Sequence, residues 1–443
     1  MNSKKKKVIL LIVLLSYFVT SIDSSIVFTA LEKMTTDLKL NQVTLSWVQN
    51  AYTLAFGGFI LLGGRLSDVF GRRKILNIAL ILFGGSSAIA GASSSANIMI
   101  LARFIQGIGA SILAPTSLAL LMDTFEGKER VKAVAWYSSI SGLGSCIGLI
   151  LGGLLASFTS WRDGFYINVP LTIFMLILSM RTLDKKQKEK ENFDIVGTVF
   201  SILGIFAFVY AINGADLPIL WLIVSVILLV IFVFIEYKSK VPIMPLELFK
   251  DKTRVGAYIV RTIYMCAMLG FWFYLSECLQ KVFHYSPIMT GISFFPMTIS
   301  MFISAVYVPN LINRYGNKII LLLGNFFLIA GFIWALFITE NSKYLIEIAL
   351  PLVLLGFGQG FSMSPLTNLG IHNTKTEIAG SASGLVNVAH QIGGSIGLSI
   401  MVASNKEITS MIVDFHRAMI IGLLFTIGML LMGLLFFKNY KGE

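Results

Sequence analysis

Charged residues are scarce in this chain: 13% of 443 residues, about half the share usual in soluble domains. With 56% of residues hydrophobic, that scarcity excludes an ordinary water-soluble fold. There are three cysteines, Cys146, Cys266 and Cys278, far apart and within apolar segments, which excludes a disulfide scaffold and a thiolate metal cluster. The four histidines are scattered and form no H-x-x-x-H pair or Ser/His/Asp grouping, so neither a metal centre nor a catalytic cluster is expected, and the chain reads as a non-enzyme. No glycine-rich phosphate-binding loop is present, so ATP is not the expected energy source, and no cofactor is expected. The longest polar stretch, 181–194, is too short to form a separate extramembrane domain.

What is abundant is apolar runs of about the length that crosses a bilayer. Fourteen are read: 8–29, 45–64, 75–93, 98–122, 131–157, 165–181, 196–215, 219–236, 256–282, 287–309, 317–338, 345–368, 381–403 and 416–437. The basic start Lys4–Lys7 followed by an apolar run mimics a secretory leader. Ser21-Ile22-Asp23 offers no small-residue cleavage site, however, so the run is read as the first span. The net charge of +12 does not point to nucleic acid, because lysine and arginine concentrate in alternate loops. By the positive-inside rule that pattern places both termini in the cytoplasm. The expected fold class is an all-α polytopic membrane protein. Its domains are an N-terminal six-helix bundle (1–182), two inserted helices with linkers (183–253) and a C-terminal six-helix bundle (254–443). A weak repeat supports two related halves. Leu66, Asp68, Phe70, Gly71 and Arg73 after the second span correspond to Leu311, Asn313, Tyr315, Gly316 and Lys318 after the tenth. Internal repeats of this kind mark alternating-access transporters.

Asp23 is the most informative residue. It lies inside the first span, where an ionisable group is costly unless it is paired or facing water. At 1.5 Å per residue it sits about 9 Å from the outer end of span 1. By the same rise Arg103 is about 8 Å into span 4. The two share a depth, so an Asp23–Arg103 pair is expected, with Gln106 on the same helix face as Arg103. Asp23 is the candidate proton carrier and Arg103 its partner. Glu277, near the outer end of span 9, is either a solvated interfacial residue or a second proton or substrate site. Glu32 and Asp37 read as exterior loop charges, and Arg261 as a snorkelling cation.

The loop Gly64-Arg-Leu-Ser-Asp68-Val-Phe-Gly71-Arg72-Arg73 combines turn-permitting glycines with an acid and several arginines. Such a cluster can latch the ends of two helices and release them. Gly144, Gly148 and Gly152 recur every four residues, with Gly153 beside them, forming a stripe along which another helix can pack closely. Gly393 and Gly397 hint at an equivalent on span 13.

This loop resembles motif A of the major facilitator superfamily. Leu101-Ala-Arg103-Phe-Ile-Gln106-Gly107-Ile-Gly109 resembles its motif B, and the Gly144–Gly153 stripe its antiporter motif C. Leu45-Ser-Trp47 through Tyr52, Trp161-Arg162 through Asn168-Val-Pro170, Tyr285-Ser-Pro287 through Gly291, and Ser383 through Gly394 are similar to the fourteen-span drug:proton antiporter branch. Within it the chain looks most like the staphylococcal multidrug exporters. The resemblance implies a multi-pass transporter of a bacterial plasma membrane, expected as a monomer, whose partners are protons, small-molecule drugs and the lipid bilayer. It implies export of lipophilic cationic, zwitterionic or neutral drugs (dyes, fluoroquinolones, quaternary ammonium compounds) in exchange for protons. A narrow-substrate antiporter, such as one for tetracycline, is the alternative. Gly64, Asp68, Gly71, Arg72 and Arg73 are then the gating residues. Gln106, Tyr52, Trp136, Asn387 and His390 are assigned to a substrate cavity. The chain departs from the branch at Ser25, Phe28 and Glu32 in span 1, at Leu149 in place of a motif C proline, and at His390 in place of an arginine.

Overall fold

The computed structural model describes residues 3–184, 194–239, 242–375, 378–405 and 410–438. These residues are almost all helical, for the reason that governs any chain in lipid: backbone N–H and C=O groups must be satisfied within the segment. Residues 185–193 of the polar stretch noted above lie outside the described residues.

The first half contains α1 (Ser3–Leu38), α2 (Gln42–Phe70), α3 (Arg72–Gly91), α4 (Ala96–Thr124), α5 (Gly127–Phe158), α6 (Asp163–Tyr166) and α7 (Asn168–Thr182). The inserted pair is α8 (Ile195–Ile212) and α9 (Pro218–Lys238). The second half contains α10 (Lys252–Lys281), α11 (Pro287–Ser293), α12 (Phe295–Ala335), α13 (Leu350–Gly370), α14 (Ala379–Ser404) and α15 (Met411–Phe436). Among the described residues, eleven helices are long and apolar enough to cross a membrane. Two shorter apolar stretches, Leu143–Phe158 within α5 and Val196–Ile212 within α8, add to these, and one of the eleven, Pro287–Ala335, reverses at Gly316, which accommodates the fourteen expected crossings.

Helix boundaries follow local chemistry. Asn41 caps α2 through a reciprocal capping box with Thr44. Asp251 caps α10 by accepting from the Arg254 N–H. The sixth expected span is interrupted between α6 and α7, where Pro170 lacks the N–H that Tyr166 would need four residues earlier. Pro296 acts in the same way between α11 and α12.

The α12 reversal can be read from packing. Met297, Ser300 and Ser304 on its first limb lie against Gly356 and Gly360 of α13, in the same order along the chain. Gly324 and Gly331 on its second limb lie against Gly358 and Leu355, in the opposite order. The two limbs therefore run antiparallel. Gly316 has φ 80° and ψ 160°, and Gly71, between α2 and α3, has φ 88° and ψ 137°. Both need the positive φ that only glycine adopts without strain. The sequence repeat thus marks the same turn in both halves.

The chain forms two compact units, Met1–Phe206 with Val226–Ile243 and Ser286–Ile288, and Ala207–Ser225 with Met244–Tyr285 and Met289–Glu443. In the first, α5 packs on α1 through its glycines: a Cβ at Gly148 would lie 2.8 Å from the Ile22 carbonyl oxygen, and one at Gly152 2.8 Å from the Ile26 Cα. Gly153 faces Pro287 and Ile288 instead. In the second unit Gly393 and Gly397 of α14 lie in the same manner against Thr262 and Cys266 of α10. Ile22 thereby corresponds to Thr262 and Ile26 to Cys266, which sets α1 and α10 in register. α8 rests on the first unit, with Ile202 against Gly58 and the Phe206 ring 5.3 Å from that of Trp47.

Candidate functional site

The first unit buries a polar cluster built from five helices. Asp23 of α1 is 1% exposed and Arg103 of α4 is 0% exposed, so neither charge has water to screen it. Arg103 Nη1 donates to Asp23 Oδ2 at 2.6 Å. The other carboxylate oxygen, Oδ1, accepts from Gln106 Nε2 at 2.7 Å and from Asn168 Nδ2 at 2.9 Å. Gln106 also accepts from Arg103 Nη1 through Oε1 at 2.7 Å. That fixes its amide orientation, because the reverse would set NH2 against guanidinium and oxygen against carboxylate. Ser87 of α3 accepts from Gln106 Nε2 at 2.6 Å and from Asn168 Nδ2 at 3.2 Å.

α2 completes the site. Arg103 Nε donates to the Val48 carbonyl at 3.2 Å. Its guanidinium lies 4.3 Å from the Tyr52 ring centre and 5.7 Å from that of Phe165. The cation is thus held by an anion, an amide, a carbonyl and two aromatic rings, arrangements that together offset its desolvation.

Sequence reasoning brought Asp23, Arg103, Gln106 and Tyr52 to notice, and the structure gathers all four. It missed Ser87 and Asn168. Asn168 had a signal, as an amide within an apolar span; Ser87 had none that distinguished it from Ser86 beside it.

The α2–α3 turn is a second cluster. Arg72 Nη1 pairs with Asp68 and donates to Ser67 Oγ at 2.6 Å, while its Nε pairs with Asp123 near the end of α4 at 3.1 Å. Arg73 donates to the Met180 and Leu183 carbonyls at 2.8 and 3.1 Å, capping the end of α7. The close helix approach here belongs to Gly63, whose Cβ would lie 2.8 Å from the Ile112 Cα, whereas Gly64 has room. In the second half the same links recur with weaker chemistry: Asn317 accepts from Asn368 near the end of α13 at 3.1 Å, and Lys318 donates to the Lys438 carbonyl at 3.4 Å.

At the far end of α1, Asp37 accepts from Trp161 Nε1 at 2.7 Å and from Arg162 Nη1 at 2.8 Å. Arg162 Nη2 reaches the Ser93 carbonyl at 3.1 Å. The Trp161-Arg162 motif therefore ties the ends of α1 and α3 to the α5–α6 loop.

Glu277 of α10 has no exposed surface and pairs with Lys281 one turn on, at 2.5 Å. The register between halves matches it to Asp37, and matches Asp23 to Ile263. Arg261 does not snorkel: it is buried, its Nη1 donates to the Met363 carbonyl at 3.3 Å, and it lies 5.8 Å from the Tyr264 ring centre. His390 of α14 is half-buried. Asn387 is exposed and donates to the Ser383 carbonyl at 3.1 Å, and Trp136 is also exposed. Among the described residues no group of three or more His, Cys, Asp or Glu could hold a metal ion.

The comparisons agree with this architecture. The sequence model of the Major Facilitator Superfamily matches residues 13–398. The puromycin resistance protein pur8 of Streptomyces alboniger is 32% identical over 400 residues, covering 88% of this chain and 79% of that protein. The cephamycin export protein CmcT of Amycolatopsis lactamdurans is 30% identical over 408 residues, covering 89% and 84%. The crystal structure of the POT family transporter PepTSo superposes with a TM-score of 0.75 over 99% of each chain at 12% identity, a likeness of fold alone. The chain is therefore a multi-pass bacterial membrane transporter, not an enzyme, and it belongs to the Major Facilitator Superfamily.

Proposed function

We propose that the chain exports lipophilic drugs in exchange for protons, with Asp23 as the proton carrier and Arg103 as the partner that holds it between turnovers. The observation that supports this most directly is the buried Asp23–Arg103–Gln106–Asn168 cluster, a carboxylate paired among the described residues with one guanidinium. A proton arriving at Asp23 removes the anion that Arg103 is paired with. The freed guanidinium must then seek other acceptors, and the helices that hold it, α1 and α4, are no longer tied by charge. Loss of the proton on the opposite side restores the pair. With Asp68, Arg72 and Arg73 on the cytoplasmic side, the cluster lies in the outer half, so the proton enters from outside as drug leaves. At a typical protonmotive force each inward proton supplies roughly 4 kcal/mol, enough for about a thousandfold drug gradient at one proton per drug.

Tyr52 and Gln106 lie within the cluster, where a change at the substrate cavity can reach Asp23 directly. In this reading Trp136 of the first unit, and Asn387 and His390 of the second, are drug-contacting residues outside the cluster. Relatives that bear single antibiotics in their names, puromycin and cephamycin, favour a second reading, a narrow-substrate antiporter. Proteoliposomes with an imposed proton gradient decide between them. Uptake driven by the gradient should be seen with ethidium, acriflavine and norfloxacin, and Asp23→Asn should abolish it while leaving substrate counterflow. Transport of tetracycline alone would select the narrow reading, and gradient-driven transport by Asp23→Asn would refute the proton role.

A further inference from the structure

At one end of the first unit a cleft of about 570 Å³ opens between the start of α1, the start of α3 and the end of α7. Among the described residues that line it, Lys4, Lys5, Arg73 and Arg181 are basic and Asp184 is acidic. Lys5 Nζ donates to Asp184 Oδ2 at 2.7 Å, and Arg73 is committed to the Met180 and Leu183 carbonyls. Among the described lining residues the basic groups outnumber the carboxylates, and Asp184 is largely exposed, so water screens what it contributes.

A second feature adjoins the first. Ile173, Ile177 and Met180 fall at i, i+4 and i+7 along α7, and all three are exposed large apolar side chains. This stripe runs along α7 and ends at the basic cleft. A soluble anion would need only the cations. A positive cleft at the end of an exposed apolar stripe has instead the two-part chemistry of a phospholipid: a phosphodiester for the cations and acyl chains for the helix face.

We infer that this cleft binds the headgroup of an anionic phospholipid, with the acyl chains lying along the exposed face of α7. The bound lipid sits beside Arg73, next to the α2–α3 turn, so it bears on the segment that links α2, α4 and α7. The site is separate from Asp23, and it stands whether or not protons drive transport.

Native mass spectrometry of the full chain in detergent, titrated with phosphatidylglycerol or phosphatidylcholine, tests it. The wild type should bind phosphatidylglycerol at least about tenfold more tightly. Each basic group near a membrane surface contributes about fivefold in affinity, so Lys4→Gln/Lys5→Gln/Arg181→Gln should weaken it by up to about 100-fold. Removal of equal charge elsewhere, by Lys128→Gln/Lys132→Gln/Lys252→Gln, should change little. If the triple variant does not fold, Arg181→Gln alone should still lose about fivefold. Equal affinity for the two lipids, or equal losses in the two triple variants, would overturn the proposal. So would binding of glycerol 3-phosphate as tight as that of the lipid, which would make this a site for soluble anions.

Discussion

Replacing Asp23 with asparagine keeps the side chain's size and removes its charge, and the surroundings set the consequence. Arg103 is fully buried, and its Nη1 would then face an amide in place of a carboxylate at 2.6 Å. Breaking a buried ion pair by removing one partner costs about 3–5 kcal/mol, because the remaining charge stays desolvated. No discount for solvent applies, since both side chains are at most 1% exposed. Gln106 and Asn168 could each keep one hydrogen bond to the amide oxygen, which points to the lower end, about 3 kcal/mol. Arg103→Gln alone should cost a similar amount, now by leaving the carboxylate uncompensated.

The double variant separates the pair from the sum of its parts. In the Asp23→Asn background, Arg103→Gln removes the stranded cation, so it should cost far less than in the wild type or even stabilise. The coupling between the two sites should be about 2–3 kcal/mol, near the upper end for contacting residues. Reversible denaturant unfolding in one detergent, with each single variant and the double, provides the cycle. Additive losses within about 0.5 kcal/mol would refute the reasoning. They would mean that the pair forms no energetic unit, and that protonation of Asp23 has no stored interaction to release.

The remaining expectations concern packing and a peripheral tie. Gly148→Ala places a Cβ 2.8 Å from a backbone oxygen of α1, and backbone cannot swing aside as a side chain can. It should destabilise by about 1–3 kcal/mol, whereas Gly85→Ala, with open space around it, should fall within about 0.5 kcal/mol in the same unfolding assay. Glu247, in the short 3-10 helix Leu246–Lys250, pairs with Lys375 at 2.9 Å, and that hydrogen bond holds its carboxyl below the usual carboxylate range. A lowered folded-state value favours the ionised form in the fold, so the tie is present above the unfolded value and lost as pH falls through the folded one. Amide exchange at 246–250, corrected for the intrinsic pH dependence, should rise as pH drops below the ordinary glutamate range, and Glu247→Gln should show the raised level at every pH.

The sequence made the spans legible because lipid leaves the backbone one solution, and apolar length alone reports it. It also made the Asp23–Arg103 pair legible, since helical rise converts position along two spans into a shared depth. Ser87 was not legible, and Asn168 stood in a quoted motif without being assigned to the site. Depth does not say which face of α7 or α3 turns inward, and short polar residues are common in spans. Asp123 was missed for a related reason: it lies one helix away from the loop whose arginine it pairs with. Arg261 was misjudged because a long cation near a span end usually reaches water. Here the Met363 carbonyl and the Tyr264 ring accept it inside the protein.

The two halves share a scaffold, and their differences localise the chemistry. Gly71 and Gly316 make the same turn, and the glycine stripes of α5 and α14 cross α1 and α10 at matching positions. Where the first half places Asp23, the second places Ile263. Where Arg72 reaches Asp123 across the first turn, Asn317 meets Asn368 across the second. Glu277 matches Asp37, which is held by Trp161 and Arg162, and is itself held by Lys281. A second proton site in the manner of Asp23 would need an acid on α10 near Ile263, and none stands there. Under the proposed cycle, then, the charge that changes lies in one half. At the position that matches Asp23 the other half has Ile263, and its buried acid, Glu277, pairs with Lys281 one turn on. Glu277→Gln should therefore lower stability without removing proton-driven transport, the opposite pattern to Asp23→Asn.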